Sequence, residues 1–161
     1  MGWQPGLVVL LGDTLKGVLA VLLARWIGGG PVVQALAGLA AVAGHDWPVW
    51  LRFRGGRGVA TSLGATAVLA PVPAGIAVGL FVGTVALTRY VSLGSMIGAA
   101  SVPLVLIAPA ISGQAPLPVL GFAGIASSLI IWQHRPNIRR LREGRENKFS
   151  LSSRRAGSPK P

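Results

Sequence analysis

Long apolar segments, separated by short polar turns, follow one another along most of this chain. The first covers residues 7–24 and ends at Arg25 and a Gly-Gly-Gly-Pro break, and the second covers residues 31–51. Two more, residues 58–88 and 90–133, contain no charged side chain. Because a membrane-spanning helix needs roughly 20 apolar residues, the pattern predicts an all-α integral membrane protein.

The two longest segments each contain a break. As one helix, residues 58–88 would be about 46 Å long, too long for one upright span and too short for two. Pro71 and Pro73 lie near the middle and would break a helix there, which predicts two short or tilted helices. Residues 90–133 are long enough for two spans, with the break near residues 112–116. The chain is therefore predicted to form a bundle of about six transmembrane helices, some short or tilted.

The distribution of basic residues along the chain supports the predicted number of six transmembrane helices. With that count, the cluster at residues 52–57, Arg89 and the basic C-terminal region share one side of the membrane, and Arg25 lies on the other. The positive-inside bias then predicts that both termini are cytoplasmic. The formal net charge is +11, but these side chains flank apolar segments, which favours an anionic membrane surface over nucleic acid as their partner.

The composition narrows the function further. Only 12% of the residues are charged, and the chain has no cysteine, two histidines and four acidic residues. A disulfide framework, a thiolate nucleophile and a cysteine metal site are therefore excluded, and a dedicated metal cage is disfavoured. Residues 150–161 lack apolar periodicity and are predicted to be a disordered basic tail, which leaves residues 1–149 as the transmembrane domain.

Ionisable residues inside apolar segments are costly, so they indicate specific pairing or chemistry. Asp13 and Lys16 in GDTLKG lie three residues apart on one helix face, which predicts an ion pair that holds the first helix against a neighbour. His45 precedes Pro48 by three residues in GHDWP, which predicts that its helix ends there. Asp46 is adjacent and points about 100° away from His45 on a helix. A Ser-His-Asp triad is therefore not supported.

We call residues 55–58, Gly-Gly-Arg-Gly, the glycine turn. Its glycines permit close approach of the backbone to a ligand, and the helix predicted after Gly58 would direct free N–H groups at an anion. Arg57 would add a bidentate fork for phosphate. The alternative is that the arginines cap this end of the helices and the glycines only form a tight loop, and the residues alone leave both interpretations open.

Two more polar stretches flank the later segments. TRYVS, residues 88–92, is typical of interfacial anchors. In QHRPNIRRLREGREN, residues 133–147, Pro136 suits the first turn of a helix and Gly144 its end, which predicts a short basic surface helix. His134 and Asn137 lie where the last span meets the surface, so a bundle would bring them near the other basic turns. A ligand with a phosphate and an apolar part fits such a site.

Two stretches of the sequence resemble the conserved signatures of a known family. GHDWPVWLRFRGGRGVATSLG is similar to the second signature of the bacterial acyl-phosphate:glycerol-3-phosphate acyltransferases, G-H-x-x-P-x-x-L-x-F-x-G-G-K-G-V-A-T. HRPNIRRLREGRENKF resembles the third signature, H-x-x-N-I-x-R-L-x-x-G-x-E. GDTLKG and LTRYVSLGS also match, so the resemblance covers residues 6–149 in order.

The resemblance implies a multi-pass enzyme of phospholipid synthesis in the bacterial plasma membrane. Such enzymes transfer an acyl group from acyl-phosphate to the hydroxyl of glycerol-3-phosphate and release lysophosphatidic acid and phosphate. A soluble phosphate acyltransferase supplies the acyl-phosphate, and no metal or coenzyme is required. We expect direct attack by the substrate hydroxyl, with either a histidine or a phosphate oxygen of the substrate as the base.

Carried over position by position, the resemblance also implies a set of site residues at the cytoplasmic face. The implied catalytic residues are His134, Asn137 and Arg57. The implied substrate-binding residues are His45, Gly55, Gly56, Gly58, Ser92 and Asn137.

Two features depart from the family pattern. The family has seven spans and a first signature, G-S-G-N-x-G-x-T-N, that is absent from this sequence, which begins about where the family's second helix does. A catalytically inactive membrane fragment is therefore the alternative function, and a small transporter built around Asp13 and Lys16 is a third. Arg57 replaces the usual lysine, which keeps the charge but substitutes a planar fork for a point charge.

Overall fold

A computed structural model describes residues 3–52 and 55–149 of the chain. Within these ranges the backbone forms seven α-helices and one 3₁₀ turn, Val49–Leu51, and no strand. The helices are α1 (Trp3–Trp26), α2 (Pro31–Asp46), α3 (Val59–Leu69), α4 (Pro71–Thr88), α5 (Val91–Ile111), α6 (Leu117–Gln133) and α7 (Arg135–Arg142). The basic tail predicted at residues 150–161 lies outside the described residues.

Prolines determine several of the helix ends. The predicted break in residues 58–88 is confirmed, since α3 ends one residue before Ala70 and Pro71 begins α4. The predicted break near residues 112–116 is also confirmed by the gap between α5 and α6. The apolar segment extends to residue 51, but its helix α2 ends at Asp46, one residue after the end predicted at His45. The physical reason is Pro48, which disfavours the helical conformation of the residue before it.

Three helices are long and apolar enough to cross a membrane alone: α1, α4 and α5. Helices α6 and α7 form a pair bent by 55° that also reaches the required length together. Helices α2 and α3, with 16 and 11 residues, are shorter. The described chain thus contains the six predicted apolar helices, some of them short, followed by the predicted short basic helix α7.

The short helix α3 lies in the middle of the bundle, where it packs against α1, α2, α4 and α6. Glycine allows the close contact between α1 and α3. A Cβ atom at Gly17 would lie 2.0 Å from the carbonyl oxygen of Thr61, and one at Gly64 would lie 2.0 Å from the carbonyl oxygen of Thr14. Because lipid gives no hydrophobic drive for helices to associate, such close packing supplies much of the attraction.

The chain reverses direction at each break, so five helix ends meet at one end of the bundle, which we call the site end. They are the C-termini of α2, α4 and α6 and the N-terminus of α3, joined there by the N-terminus of α5. At the opposite end, Arg25 donates hydrogen bonds to Gln34 Oε1 at 3.3 Å and to the Val68 carbonyl at 3.2 Å. Arg25 is therefore separated from the other basic turns, as the span count predicts.

Candidate active site

The glycine turn is held against the end of α2 by its backbone. The N–H of Gly55 donates to the Asp46 carbonyl at 3.1 Å, and the N–H of Gly56 donates to the His45 carbonyl at 3.2 Å. A side chain at Gly55 would collide with backbone, because a Cβ would lie 2.0 Å from the His45 carbonyl oxygen, and one at Gly56 would displace the His45 ring, because a Cβ would lie 2.0 Å from His45 Nε2. The contact leaves Arg57 exposed at the surface of the turn.

The first turn of α3 begins at Gly58, whose φ of +68° is in the left-handed region that favours glycine. The carboxylate of Asp46 faces this residue: a Cβ at Gly58 would lie 3.0 Å from Asp46 Oδ1. The Asp46 side chain is buried, and no described residue donates a hydrogen bond to either of its oxygens. The predicted anion site at the start of α3 therefore already has a protein carboxylate beside it.

His45 joins the polar pair predicted on α1. Lys16 Nζ lies 3.5 Å from Asp13 Oδ1, and His45 Nδ1 lies 3.1 Å from the same oxygen. Lys16 Nζ is also 3.1 Å from His45 Nδ1. One ring nitrogen cannot donate to Asp13 and accept from Lys16 at once, so the tautomer decides which contact is a hydrogen bond. The predicted pairing of α1 with a neighbour is present, and the neighbour is α2.

On the other side of the site end, a carboxylate cluster consists of Ser92, Asn137, Arg140 and Glu146. Glu146 Oε1 accepts from Ser92 Oγ at 2.8 Å and from Asn137 Nδ2 at 2.7 Å. Its other oxygen accepts from Arg140 Nε at 2.7 Å. The carboxylate thereby ties α5, α7 and the segment after α7 together.

Glu146 is ionised in this arrangement. Its side chain is 7% exposed, and burial would raise the pKa of the carboxyl. The hydrogen bonds from Asn137, Arg140 and Ser92, with the Arg140 charge, outweigh burial and hold that pKa below its ordinary value.

Residues 145–149 follow α7 and return across the turn between α4 and α5. The N–H of Phe149 donates to the Arg89 carbonyl at 2.7 Å, and Lys148 Nζ lies 5.8 Å from the centre of the Tyr90 ring. Arg89 adopts a left-handed φ of +63° at the end of α4. Arg89 and Tyr90, which the sequence marks as interfacial anchors, thus also dock the segment that carries Glu146.

His134 lies between α6 and α7 and is 1% exposed. Its Nδ1 is 2.8 Å from the Ile130 carbonyl oxygen. A carbonyl only accepts, so Nδ1 carries a proton and, in the neutral ring, Nε2 keeps its lone pair. Arg57 is close enough for its charge to act on this ring, which brings a glycine-turn residue and a third-signature residue together.

Asn137 is the second buried residue of this region. With Nδ2 bound to Glu146, its Oδ1 is buried and receives no hydrogen bond from any residue that the structure describes. A buried amide oxygen without a donor is unusual in a native protein and is suited to a ligand that brings one.

All the predicted site residues lie at the site end, but in two groups. Ser92 and Asn137 belong to the carboxylate cluster. The glycines and Arg57 form the glycine turn, His45 contacts that turn from the end of α2, and the Arg57 charge acts on His134. Reasoning from the sequence missed Arg140 and Glu146. The third signature contained the signal, because its R and E positions are Arg140 and Glu146.

Six apolar helices with this polar, basic end define a helical integral membrane protein with a cluster of polar and basic side chains at one face. A family model described as glycerol-3-phosphate acyltransferase matches residues 1–144, and the chain belongs to that family. The glycerol-3-phosphate acyltransferase of Geobacter sulfurreducens is 46% identical over 149 residues, which are 92% of this chain and 75% of that protein. Glycerol-3-phosphate acyltransferase 2 of Moorella thermoacetica is 47% identical over 153 residues, covering 95% and 76%.

Two solved structures have the same fold. The crystal structure of PlsY (YgiH), an integral membrane glycerol 3-phosphate acyltransferase, in its glycerol 3-phosphate form superposes with a TM-score of 0.84 at 37% identity, covering 93% of this chain and 74% of that one. The lysophosphatidic acid form gives a TM-score of 0.82 at 37% identity, with 91% and 74% covered. The family expected from the two signatures is therefore confirmed, as is the all-helical membrane fold.

Proposed function

We propose that this chain transfers the acyl group of acyl-phosphate to the hydroxyl of glycerol-3-phosphate. The hydroxyl oxygen bonds to the acyl carbonyl carbon, the bond from that carbon to the phosphate oxygen breaks, and inorganic phosphate and lysophosphatidic acid leave. The observation that carries this proposal is the meeting of both signatures at the site end, inside a fold shared with relatives named for this activity. Membership of the family favours this reading over an inactive fragment.

Arg57 is the proposed phosphate ligand. It is exposed on a turn whose backbone is fixed against α2, so it can reach a substrate that arrives from the aqueous side. The planar guanidinium can bind two oxygens of the glycerol-3-phosphate phosphate at once, which holds that substrate in the site. Gly55, Gly56 and Gly58 are proposed to shape this turn around the substrate, since a Cβ at each would collide with a neighbour, and His45 is proposed to support the turn because its carbonyl and ring are the atoms met at Gly55 and Gly56.

Asn137 and His134 are proposed to act on the reacting hydroxyl. Glu146 orients Asn137 so that Oδ1 remains an acceptor for a hydroxyl hydrogen. Holding the nucleophile in line in this way converts an encounter of two molecules into a step within one complex. The hydroxyl proton has two acceptors of suitable chemistry, the lone pair on His134 Nε2 and an oxygen of the substrate phosphate.

Ser92 has a different proposed part. Its hydroxyl donates to Glu146, so it contributes to the site by holding the carboxylate that positions Asn137. A Ser92→Ala variant is then expected to behave like a Glu146 variant with a smaller effect, and not like a variant that lacks a phosphate-binding side chain. The comparison of glycerol-3-phosphate KM values for Ser92→Ala and Arg57→Gln distinguishes these roles, because removal of a substrate contact raises KM.

The site end is proposed to face the cytoplasm, with both termini there, because the basic turns lie at this end and Arg25 at the other. The chain has no cysteine, so single cysteines report sidedness cleanly. Ile27 is 72% exposed beside Arg25, and Lys148 is exposed near the site end. A membrane-impermeant maleimide should label Ile27→Cys in intact cells and Lys148→Cys only after lysis, and the reverse order would contradict the orientation.

A soluble phosphate acyltransferase is the proposed source of acyl-phosphate. The cytoplasmic orientation supports this, since the donor would then be delivered at the face that carries Arg57 and the basic helix α7. No cofactor is part of the proposal, because the acyl-phosphate bond is already activated.

The test uses the chain purified in detergent, with palmitoyl-phosphate and labelled glycerol-3-phosphate. Lysophosphatidic acid and phosphate should appear in equal amounts, and palmitoyl-CoA should not replace the donor. Arg57→Gln should lower the rate, whereas Arg142→Gln, an exposed arginine on the same face of the protein, should not. Absence of product from every acyl-phosphate tested would reject the proposed function.

A further inference from the structure

Helix α7 leaves the direction of α6 where the last apolar helix ends. The two helices are bent by 55° relative to each other, and four of the eight residues of α7 are arginine. So many charges are costly within the hydrocarbon of a bilayer, whereas the apolar helix α6 suits it. Trp132, which is 45% exposed near the end of α6, has the kind of ring that is enriched at the membrane–water interface. Helix α7 therefore lies at the level of the lipid headgroups.

Helix α7 has an inner and an outer face. Asn137 is buried and Arg140 is partly exposed, and both donate hydrogen bonds to Glu146. Arg135 and Arg139 are exposed, and each is two residues from Asn137, which is about 200° around a helix. The inner face thus belongs to the carboxylate cluster, and the two arginines project from the opposite side of the same helix.

A cleft lies on this outer face, and we call it the α7 cleft. It has a volume of about 370 Å³ and is lined by Trp132, Gln133, Arg135, Pro136 and Arg139. None of these lining residues is acidic, so the cleft presents two positive charges. A water molecule occupies about 30 Å³ in the liquid, so the cleft has room for a phosphate group with its substituents.

Arg135 is held in position before any ligand binds. Its guanidinium lies 4.1 Å from the centre of the Trp132 ring, and its Nε donates to the Trp132 carbonyl at 3.1 Å. A guanidinium has five N–H donors, so the terminal ones remain for a ligand. Within residues 3–52 and 55–149, no carboxylate forms an ion pair with Arg135 or Arg139. A fork fixed in this way loses less side-chain entropy when it binds an oxyanion.

We propose that the α7 cleft binds the phosphate of an anionic phospholipid from the surrounding leaflet, and that this lipid holds α7 at the angle that Asn137 requires. Two arginines without an acidic neighbour favour a headgroup with a net negative charge over a zwitterionic one. The planar fork of Arg135 matches two oxygens of a phosphate. Because one short helix carries both faces, a ligand on the outer face restricts the tilt of the inner face. The coupling to Asn137 rests on the proposed function, whereas the lipid site does not.

Two arginines of α7 give a matched pair for the test. Arg139 and Arg142 are both exposed, so glutamine at either position removes one positive charge from the same helix. Only Arg139 lines the α7 cleft. Arg139→Lys is a third variant, which keeps the charge but loses the planar fork.

The first readout is lipid binding, which does not depend on turnover. The protein is purified in detergent with phosphatidylcholine, phosphatidylglycerol is titrated in, and the thermal midpoint is followed. Phosphatidylglycerol should raise the midpoint, and the concentration for half of the effect should increase roughly tenfold in Arg139→Gln, as for the loss of a charge-assisted hydrogen bond. Arg142→Gln should behave like the unchanged protein, and Arg139→Lys should lie between the two.

Two results of this titration would overturn the lipid site. Equal weakening in Arg139→Gln and Arg142→Gln would show attraction by diffuse surface charge instead of a cleft. An equal rise of the midpoint with glycerophosphoglycerol, the same headgroup without acyl chains, would assign the cleft to a soluble phosphate ester.

The second readout is kcat in nanodiscs of phosphatidylcholine, alone or mixed with phosphatidylglycerol in equal parts. Phosphatidylglycerol should raise kcat several-fold in the unchanged protein and in Arg142→Gln, but not in Arg139→Gln, because only the cleft transmits lipid binding to Asn137. A higher midpoint with an unchanged kcat would reject the coupling. Lipid binding by a protein that forms no product would support the lipid site and reject the proposed function.

Discussion

The carboxylate cluster and the glycine turn lie at the same end of the bundle, yet different contacts hold them. In the cluster, three side chains donate to Glu146, and the buried Asn137 oxygen receives no hydrogen bond from the residues that the structure describes. In the glycine turn, two backbone hydrogen bonds and the absence of Cβ atoms hold the loop, and the long side chain of Arg57 is exposed. The carboxylate cluster fixes the orientation of the Asn137 amide, whereas the glycine turn exposes the positive charge of Arg57.

The comparison implies that the two regions should fail in different ways. Loss of a cluster member removes hydrogen bonds that join three elements, so stability should fall together with activity. Addition of a side chain to the glycine turn, or loss of its arginine, should affect substrate binding and turnover more than the stability of the helix bundle.

Glu146→Gln should cause the largest effect, because it removes the charge that Arg140 pairs with and one of the acceptors in the cluster. We expect a loss of about 3 kcal/mol in the free energy of unfolding, the low end for a buried charge pair because Arg140 is partly exposed. Thermal unfolding in detergent measures it. The control is Glu143→Gln, whose pair with Arg145 is exposed and should change stability little; equal losses in both variants would contradict the assignment.

Gly55→Ala should come next and should affect catalysis more than folding. The new Cβ would lie 2.0 Å from the His45 carbonyl oxygen, so the turn must move and carry Arg57 with it. A displacement of about 1 Å of a positioning group costs roughly 100-fold in rate. Gly44→Ala is the matched control on α2, where a Cβ meets no atom within 4 Å; a similar loss of kcat/KM there would show that the turn geometry is not responsible.

Most of the fold, but only part of the candidate site, could be predicted from the sequence. The six apolar helices, the breaks at Pro71 and at residues 112–116, and α7 followed from apolar length, proline positions and charge. The clustering of Ser92 and Asn137 could be expected from the shared side of the membrane. The hydrogen bonds of Glu146 could not, because residues 145–149 have no periodicity and their path depends on the Arg89 carbonyl that Phe149 binds. The end of α2 at Asp46 could be predicted from Pro48, although the apolar residues continue to residue 51.

Arg57→Gln should have the third largest effect, seen mainly in substrate binding. Loss of a charge-assisted hydrogen bond is expected to raise the glycerol-3-phosphate KM between roughly tenfold and 100-fold. Arg57→Lys, which restores the family's residue, should fall between Arg57→Gln and the unchanged protein, because a lysine keeps the charge but not the fork. An unchanged KM in both variants would remove Arg57 from the phosphate site.

The smallest expected effect is a loss of folding stability at acidic pH. Because the pKa of Glu146 is lowered in the folded protein, its contribution to stability is present above its ordinary pKa of 4.5 and is lost as the pH falls through the lower folded value. The thermal midpoint should therefore drop below about pH 4.5, and Glu146→Gln should reduce that drop while Glu143→Gln should not. A profile that is the same in all three proteins would exclude Glu146 as its source.

The most direct test of the account is product formation by the chain alone, purified in detergent and supplied with palmitoyl-phosphate and glycerol-3-phosphate. The account predicts lysophosphatidic acid and inorganic phosphate in equal amounts, at a rate that falls in both Glu146→Gln and Gly55→Ala but with loss of stability in Glu146→Gln only. Hydrolysis of palmitoyl-phosphate without lysophosphatidic acid, or no reaction in a sample that remains folded, would contradict it.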